Sequence, residues 1–200
     1  MSTRFQKALH LIDAAHSEDP NLIATADGTQ IPYELHYANK MTGYLFQLDP
    51  SPSETLQLAI RAQHLRRWEI PRSSYPMTKA GYFAWRNRLR DRQAELAEKM
   101  CLESGYGAEE AGRVAALVRK ENLKQGDDAE AQTLEDVACL VFLDDQFEEF
   151  EREKGYEEEK IVGILRKTWA KMSQRGRELA LRIEMSERAR GLVEKALASS

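Results

Sequence analysis

Apolar positions recur at three- and four-residue spacing almost throughout this chain and strict alternation is nearly absent, a pattern that predicts helices and an all-α fold. Phe5, Leu9, Ile12 and His16 mark a first helical stripe, which should stop near Asp19-Pro20. The following segment, NLIATADGTQIP, carries the Asp27-Gly28 turn signal and fits either a short hairpin or a structured loop. Pro32 is placed at the first turn of a helix running to about Leu48, with Leu35, Met41, Leu45 and Leu48 inward. Ser51-Pro52-Ser53-Glu54 has the form of a capping box, in which Ser51 and Glu54 each satisfy a free backbone N–H. A helix is therefore expected from Ser51 through Leu56, Ala59, Ile60 and His64 toward Trp68, before Pro71 forbids continuation.

Residues 70–78, IPRSSYPMT, form a loop constrained by two prolines, and Thr78 caps a long helix whose apolar stripe is Tyr82, Trp85, Leu89, Leu96 and Met100. SGYG at 104–107 punctuates, Val114, Leu117, Val118 and Leu123 mark a shorter helix, and KQGDDAE at 124–130 is a polar turn. The helix after it, near 131–150, is apolar on every side between Val137 and Leu143, which makes it the expected centre of the fold. From Glu157 the chain reads as two or three amphipathic helices carrying Ile161, Ile164, Leu165, Trp169, Leu179, Ile183, Leu192 and Val193. The expected organisation is a helical core domain over 1–156, with C-terminal helices over 157–200 packed on it or extending from it.

At 200 residues the chain is long enough for one full core. No window reaches the roughly 18 consecutive apolar residues of a membrane span, and the N-terminus lacks a secretory apolar region, so a soluble cytoplasmic protein is expected. Cys101 and Cys139 are too few for a disulfide framework and lie in helical patterns, which predicts buried reduced thiols.

Charge is distributed unevenly. Residues 61–92 hold nine Lys or Arg against two acids, +7, within a chain of formal net charge −4. Residues 144–159 hold nine acids against two bases, −7. Three readings of the basic block stay open. Arg86, Arg88, Arg90 and Arg92 can pair with the acidic run. Arg66, Arg67, Arg72 and Lys79, near a helix end and a helix N-terminus, can surround a phosphate or carboxylate. The block can also bind RNA or a protein partner, with Trp68, Tyr75, Tyr82 and Trp85 as stacking surfaces, although the negative net charge disfavours nucleic acid.

His10, His16, His36 and His64 show no short metal spacing, so a metal site needs partners distant in sequence, such as His64 with Glu135 or Asp136. Glu135 and Asp136 begin an apolar stretch and are the carboxylates expected inside, paired with an Arg of the basic block because a lone buried charge is costly. Lys171-Met172-Ser173-Gln174-Arg175 is similar to the KMSKS loop of class I aminoacyl-tRNA synthetases, but the other elements of that fold are absent, and Ser173 reads as a cap between two helices.

Across IDAAHSEDPN, PYELHYANKM, RAQHLRRWEIPRSSYP, KAGYFAWRNRL, AQTLEDVACLVFLDDQFEEF and ILRKTWAKMSQRG, spanning most of residues 11–176, the chain resembles the uncharacterised domain of unknown function 4202 family. That resemblance implies no established activity. The layout also resembles HD-type metal-dependent phosphohydrolases, which are all-α and use His and Asp to hold a divalent metal that activates water. His64 would stand for one His and Asp136 for the last Asp. His64 is followed by Leu65, so the His-Asp pair is missing, and Gln93-Ala94 stands where the resemblance implies a tendency to His-Ala, which removes another candidate ligand.

The sequence thus predicts a single all-α domain, HD-like in arrangement, with a C-terminal helical extension. His64, Glu135 and Asp136 are the candidate catalytic residues, with His64 and Asp136 also the candidate metal ligands. Arg66, Arg67, Arg72 and Lys79 are the candidate anion contacts. The expected ligand is a small phosphorylated or carboxylated molecule, with a divalent metal as candidate cofactor and an RNA- or protein-binding module as the alternative. Oligomeric state is left open.

Overall fold

The computed structural model describes residues 2–25, 27–121, 127–154 and 156–198. Leu123 and positions 124–126 of the polar turn lie outside them. The elements in order are α1 (Arg4–His16), a hairpin of β1 (Leu22–Ala24) and β2 (Gln30–Pro32), α2 (Tyr33–Leu48), α3 (Glu54–Arg61), α4 (Lys79–Glu103), α5 (Ala108–Arg119), α6 (Ala129–Val141), α7 (Phe147–Lys154), α8 (Glu158–Lys171), α9 (Gln174–Ala180) and α10 (Glu187–Ala198). A π-helical turn, Phe142–Gln146, joins α6 to α7. No helix among the described residues is long and apolar enough to cross a membrane.

Local chemistry accounts for five of the helix starts. Thr3, Ser53, Thr78, Asp128 and Ser173 each accept a backbone N–H of the first turn through the side chain, an interaction worth about 1 kcal/mol apiece. The hairpin pairs Leu22 with Pro32 and Ala24 with Gln30 and delivers the chain into α2, with Gly28 at φ 83° in its turn. Gly105, at φ 99°, lies in the short turn between α4 and α5. So short a turn makes the two helices neighbours.

α6 lies at the centre as expected, with Leu134, Val137, Leu140 and Val141 inaccessible to water. α2, α3, α5, α8 and α9 pack around it. Each such apolar side chain contributes about 1.5–3 kcal/mol through burial. Ile161, Leu165, Met172, Ala180, Leu192 and Val193 belong to the same hydrophobic cluster as Ile12, Met41 and Leu56, so the C-terminal helices share the core of the rest of the chain. Cys101 and Cys139 are free and buried, and burial pushes their thiols up to about 11 and about 12.

Three local expectations are corrected. The cap of α3 is Ser53 rather than Ser51. Asp49 Oδ1 takes the Ser51 N–H at 3.0 Å in a turn that leaves Ser51 outside the helix, and Ser53 Oγ accepts the Leu56 N–H at 3.1 Å. Glu54 accepts the Tyr106 hydroxyl at 2.7 Å, so no capping box forms there. α3 ends at Arg61 instead of running to Trp68, because the following segment is held in a different conformation by side chains from α1 and α2. Tyr82, expected on the inner stripe of α4, is 40% exposed, while Gly81, Trp85 and Leu89 form the buried strip of that half of the helix.

Candidate functional site

The segment between α3 and α4 contains two non-glycine residues with positive φ, His64 (63°) and Arg66 (52°). Such residues cost about 1–3 kcal/mol each and persist only where the surroundings impose them. Here the surroundings are the first two helices. Glu34, buried on α2, accepts the Arg66 N–H at 2.9 Å and the Trp68 N–H at 3.0 Å. His16, at the end of α1, donates from Nε2 to the Arg61 carbonyl at 2.8 Å and sets Nδ1 3.4 Å from Glu34. Asp19 accepts the Glu34 N–H at 3.0 Å. His16, Asp19 and Glu34 thus shape the start of the basic block.

The four proposed anion contacts meet different fates in this loop. Arg66 is neutralised by Glu18 and Glu69, each at 2.5 Å. Arg72 donates to the carbonyls of Tyr75 (2.9 Å), Pro76 (2.8 Å) and Thr78 (3.3 Å), which fixes the proline loop. Lys79 is exposed at the start of α4 and forms no ion pair with described residues. Arg67 differs from all three. It is partly buried with its guanidinium 4.5 Å over the Trp85 ring, and no acid or other hydrogen-bond acceptor among the described residues satisfies it. Burial, and then the charge of Arg86, push its pKa down. Trp68 Nε1, next along the chain, and Gln93 Nε2 on α4 are buried donors without an acceptor among the described residues. The Arg67 charge also acts on Tyr33, Tyr37 and His64.

Tyr33, on which the Arg67 charge acts, belongs to a polar pairing of α2 with the π-helical turn. His36 Nε2 is 2.6 Å from Asp145 Oδ1, Tyr33 is 3.5 Å from the other carboxylate oxygen, and Gln146 donates to the Tyr33 hydroxyl at 2.8 Å. Lys40 pairs with Asp144 at 2.7 Å. Burial pushes the Tyr33 phenol up to about 12, with the Asp145 charge adding to it. Tyr33, His36 and Lys40 share one side of α2 at i, i+3 and i+7, and a π-helical turn is a recurrent feature of functional sites. The spacing in PYELHYANK was the signal for this cluster, and attention to the inward apolar stripe of α2 passes over it. Among the described residues, Asp145 is the part of the acidic run that reaches a histidine. Of the rest, Glu148 accepts the Ser186 N–H, Glu151 pairs with Arg188 and Glu158 with Lys195.

The acidic run is therefore not the counterpart of Arg86, Arg88 and Arg90, which form no ion pair with described residues, and Arg92 pairs with Glu69 instead. Two further expectations change. His64 stacks on Tyr37 with ring centroids 3.9 Å apart and interplanar angle 13°. Burial, then Arg67 and Arg86, hold its pKa well below the ordinary histidine value, so it is neutral at pH 7. Glu135 pairs with Lys120 and, at 3.3 Å, with Lys171, and with no Arg of the basic block.

Asp136 accepts the Ser173 N–H at 2.7 Å and Gln132 Nε2 at 2.9 Å on one oxygen, and the Ser173 hydroxyl on the other. Ser173 in turn caps α9 through Gly176 N at 3.1 Å, as the sequence reading of Ser173 requires. The Glu135-Asp136 pair and the KMSQR pentapeptide are thus two halves of one latch between α6 and the α8–α9 corner. Among the described residues, His64, Arg72 and Asp136 share no partner. No group of three or more His, Cys, Asp or Glu among the described residues is arranged to hold a metal ion.

Comparison with known proteins adds one identification. The description "Domain of unknown function (DUF4202)" matches residues 6–193, and the chain belongs to that family. No curated protein and no solved structure matches.

Proposed function

We propose that this member of the DUF4202 family binds a small phosphorylated or carboxylated molecule where Arg67 lies over Trp85, with the His36–Asp145 pair as its acid–base couple. The observation that carries this reading is the uncompensated Arg67 charge. A partly buried guanidinium without a counter-charge is destabilising, by up to several kcal/mol where desolvation is complete. Its stack on Trp85 returns about 0.5–2 kcal/mol. A bound anion would supply the missing partner with charge-assisted, bidentate hydrogen bonds, and the neighbouring Arg86 would strengthen its attraction. Should the ligand be turned over, His36 held by Asp145 has the donor–acceptor arrangement of a general acid–base residue. The carboxylate of Asp136 is committed to the latch, so the hydrolase form of the reading rests on His36 and Asp145.

The test uses Trp85 as the reporter. Titration with inorganic phosphate, pyrophosphate or a dicarboxylate should give a saturable change in tryptophan fluorescence that is lost in Arg67→Met and in Trp85→Phe. Arg67→Met should leave the melting temperature of the unliganded protein unchanged or higher, because it removes an unpaired charge at similar volume. A clear drop in stability together with no anion-dependent signal in the parent protein would show that Arg67 is a packing residue only.

A further inference from the structure

We infer that the outer face of the N-terminal half of α4 binds single-stranded nucleic acid, with phosphates on its cations and bases on its aromatic rings. Lys79, Tyr82, Phe83, Arg86 and Arg90 occur at i, i+3, i+4, i+7 and i+11 and so line one side of the helix, opposite the Gly81, Trp85 and Leu89 strip that faces the core. The side of the helix bearing them is in water: Phe83 is 53% exposed and, just before the helix, Met77 is 79% exposed. The rings are contiguous, with Phe83 and Tyr82 centroids 5.8 Å apart at a steep angle and Tyr82 and Trp85 centroids 6.0 Å apart. Arginine is interleaved with them, since Arg86 donates to the Tyr82 hydroxyl at 3.3 Å.

Charge explains why the partner is an anion. Lys79, Arg86, Arg88 and Arg90 form no ion pair with described residues, while Asp144, Asp145, Glu151 and Glu158 of the chain's most acidic segment pair with Lys40, His36, Arg188 and Lys195 on other elements. α4 packs chiefly on α5 and α1, whereas of the elements bearing that acidic segment the π-helical turn packs on α6 and α7, and α8 on α10 and α6. The two charge blocks of opposite sign are therefore segregated rather than mutually satisfied. Shape explains why the anion is a single strand. The stripe extends about 17 Å at a rise of 1.5 Å per residue, which suits a linear polyanion better than one small molecule. Exposed rings between guanidinium groups stack on unpaired bases, each contact being worth about 1–3 kcal/mol without regard to sequence. A duplex hides those faces. An acidic protein partner would use the cations and leave the rings without a specific role.

The experiment is fluorescence anisotropy of the full chain with labelled oligo(U) or oligo(dT). With three phosphate contacts, from Lys79, Arg86 and Arg90, and a slope of about −0.7 per contact, affinity should fall about 20-fold between roughly 50 and 200 mM salt. Tyr82→Ala with Phe83→Ala should weaken binding by at least about tenfold while leaving the salt slope intact. Arg86→Ala with Arg90→Ala should flatten the slope by about 1.4. All four positions are exposed, and unchanged thermal melts would confirm that the variants fold. Arg67→Met separates this surface from the small-anion reading, because it should abolish the Trp85 response to phosphate and leave oligonucleotide binding within about threefold. The inference is overturned by absence of binding at low salt, or by a duplex of equal length binding as tightly as the single strand. It is also overturned if the protein self-associates through this face, seen as a molecular mass that rises with concentration and returns to monomer in Tyr82→Ala with Phe83→Ala.

Discussion

Replacing Asp136 separates a latch from a reactive carboxylate. In Asp136→Ala, Ser173 N, Ser173 Oγ and Gln132 Nε2 all lose their shared acceptor at a site where Asp136 is 3% exposed. Each lost hydrogen bond to a charged group is worth about 1.5–3 kcal/mol, but relief of carboxylate burial and access of water to Gln132 reduce the sum, and a net loss of about 3–5 kcal/mol is expected. Asp136→Asn keeps the shape and one acceptor and can turn its amide toward Ser173 Oγ, so about 1–3 kcal/mol is expected. Gly176 supplies an independent check. A Cβ there would sit 2.8 Å from Asp136 Cγ, so Gly176→Ala should cost about 1–3 kcal/mol in the parent protein. In the Asp136→Ala background the obstacle is gone and the same change should stabilise by up to about 1 kcal/mol, the ordinary advantage of Ala over Gly in a helix. Urea unfolding followed by far-ultraviolet circular dichroism gives all four corners of this cycle. Additive effects, or an Asp136→Ala variant within about 0.5 kcal/mol of the parent, would refute the latch and return Asp136 to the list of reactive carboxylates.

Two other outcomes follow from the same geometry. Because the folded pKa of His64 is depressed well below 6.5 by burial, the unfolded chain takes up a proton first and stability should fall as the pH drops below about 6.5. His64→Asn, which tolerates the positive φ, should flatten the stability curve measured between about pH 7 and 5 relative to the parent. Glu34→Gln replaces a carboxylate that accepts two backbone N–H groups and faces His16. It should cost about 2–3 kcal/mol and speed amide hydrogen exchange at Arg66 and Trp68 far more than in α6. Uniform exchange rates would show that Glu34 does not hold the loop.

The functional reading depends on features of unequal visibility in the chain. The KMSQR pentapeptide stood out by similarity to a nucleotide-binding loop, yet its Ser173 caps α9 and its Lys171 neutralises Glu135. A short motif has no fixed chemistry until its neighbours are known. Arg66, Arg67 and Arg72 look equivalent on the page, and they become a neutralised pair, an uncompensated charge and a loop staple. That division could not be read beforehand, because the Glu18, Glu34 and Trp85 that produce it come from the turn after α1, from α2 and from α4. His36 and Asp145 lie 109 positions apart and meet only because α2 packs against α6 and its π-helical turn.

What the sequence by itself determined is the part governed by short-range physics. Periodicity set the helices and the all-α class, Thr78 and Ser173 set helix starts, the apolar run from Val137 to Leu143 set the central helix, and the cysteines were marked as buried thiols. Tertiary structure decided which charges are satisfied. Ion pairing depends on distances of a few ångströms between side chains brought together by packing, and no local pattern encodes those distances. The +7 block and the −7 run were visible as opposites, and only the fold kept them apart, leaving Arg67, Lys79, Arg86, Arg88 and Arg90 without an ion pair among the described residues.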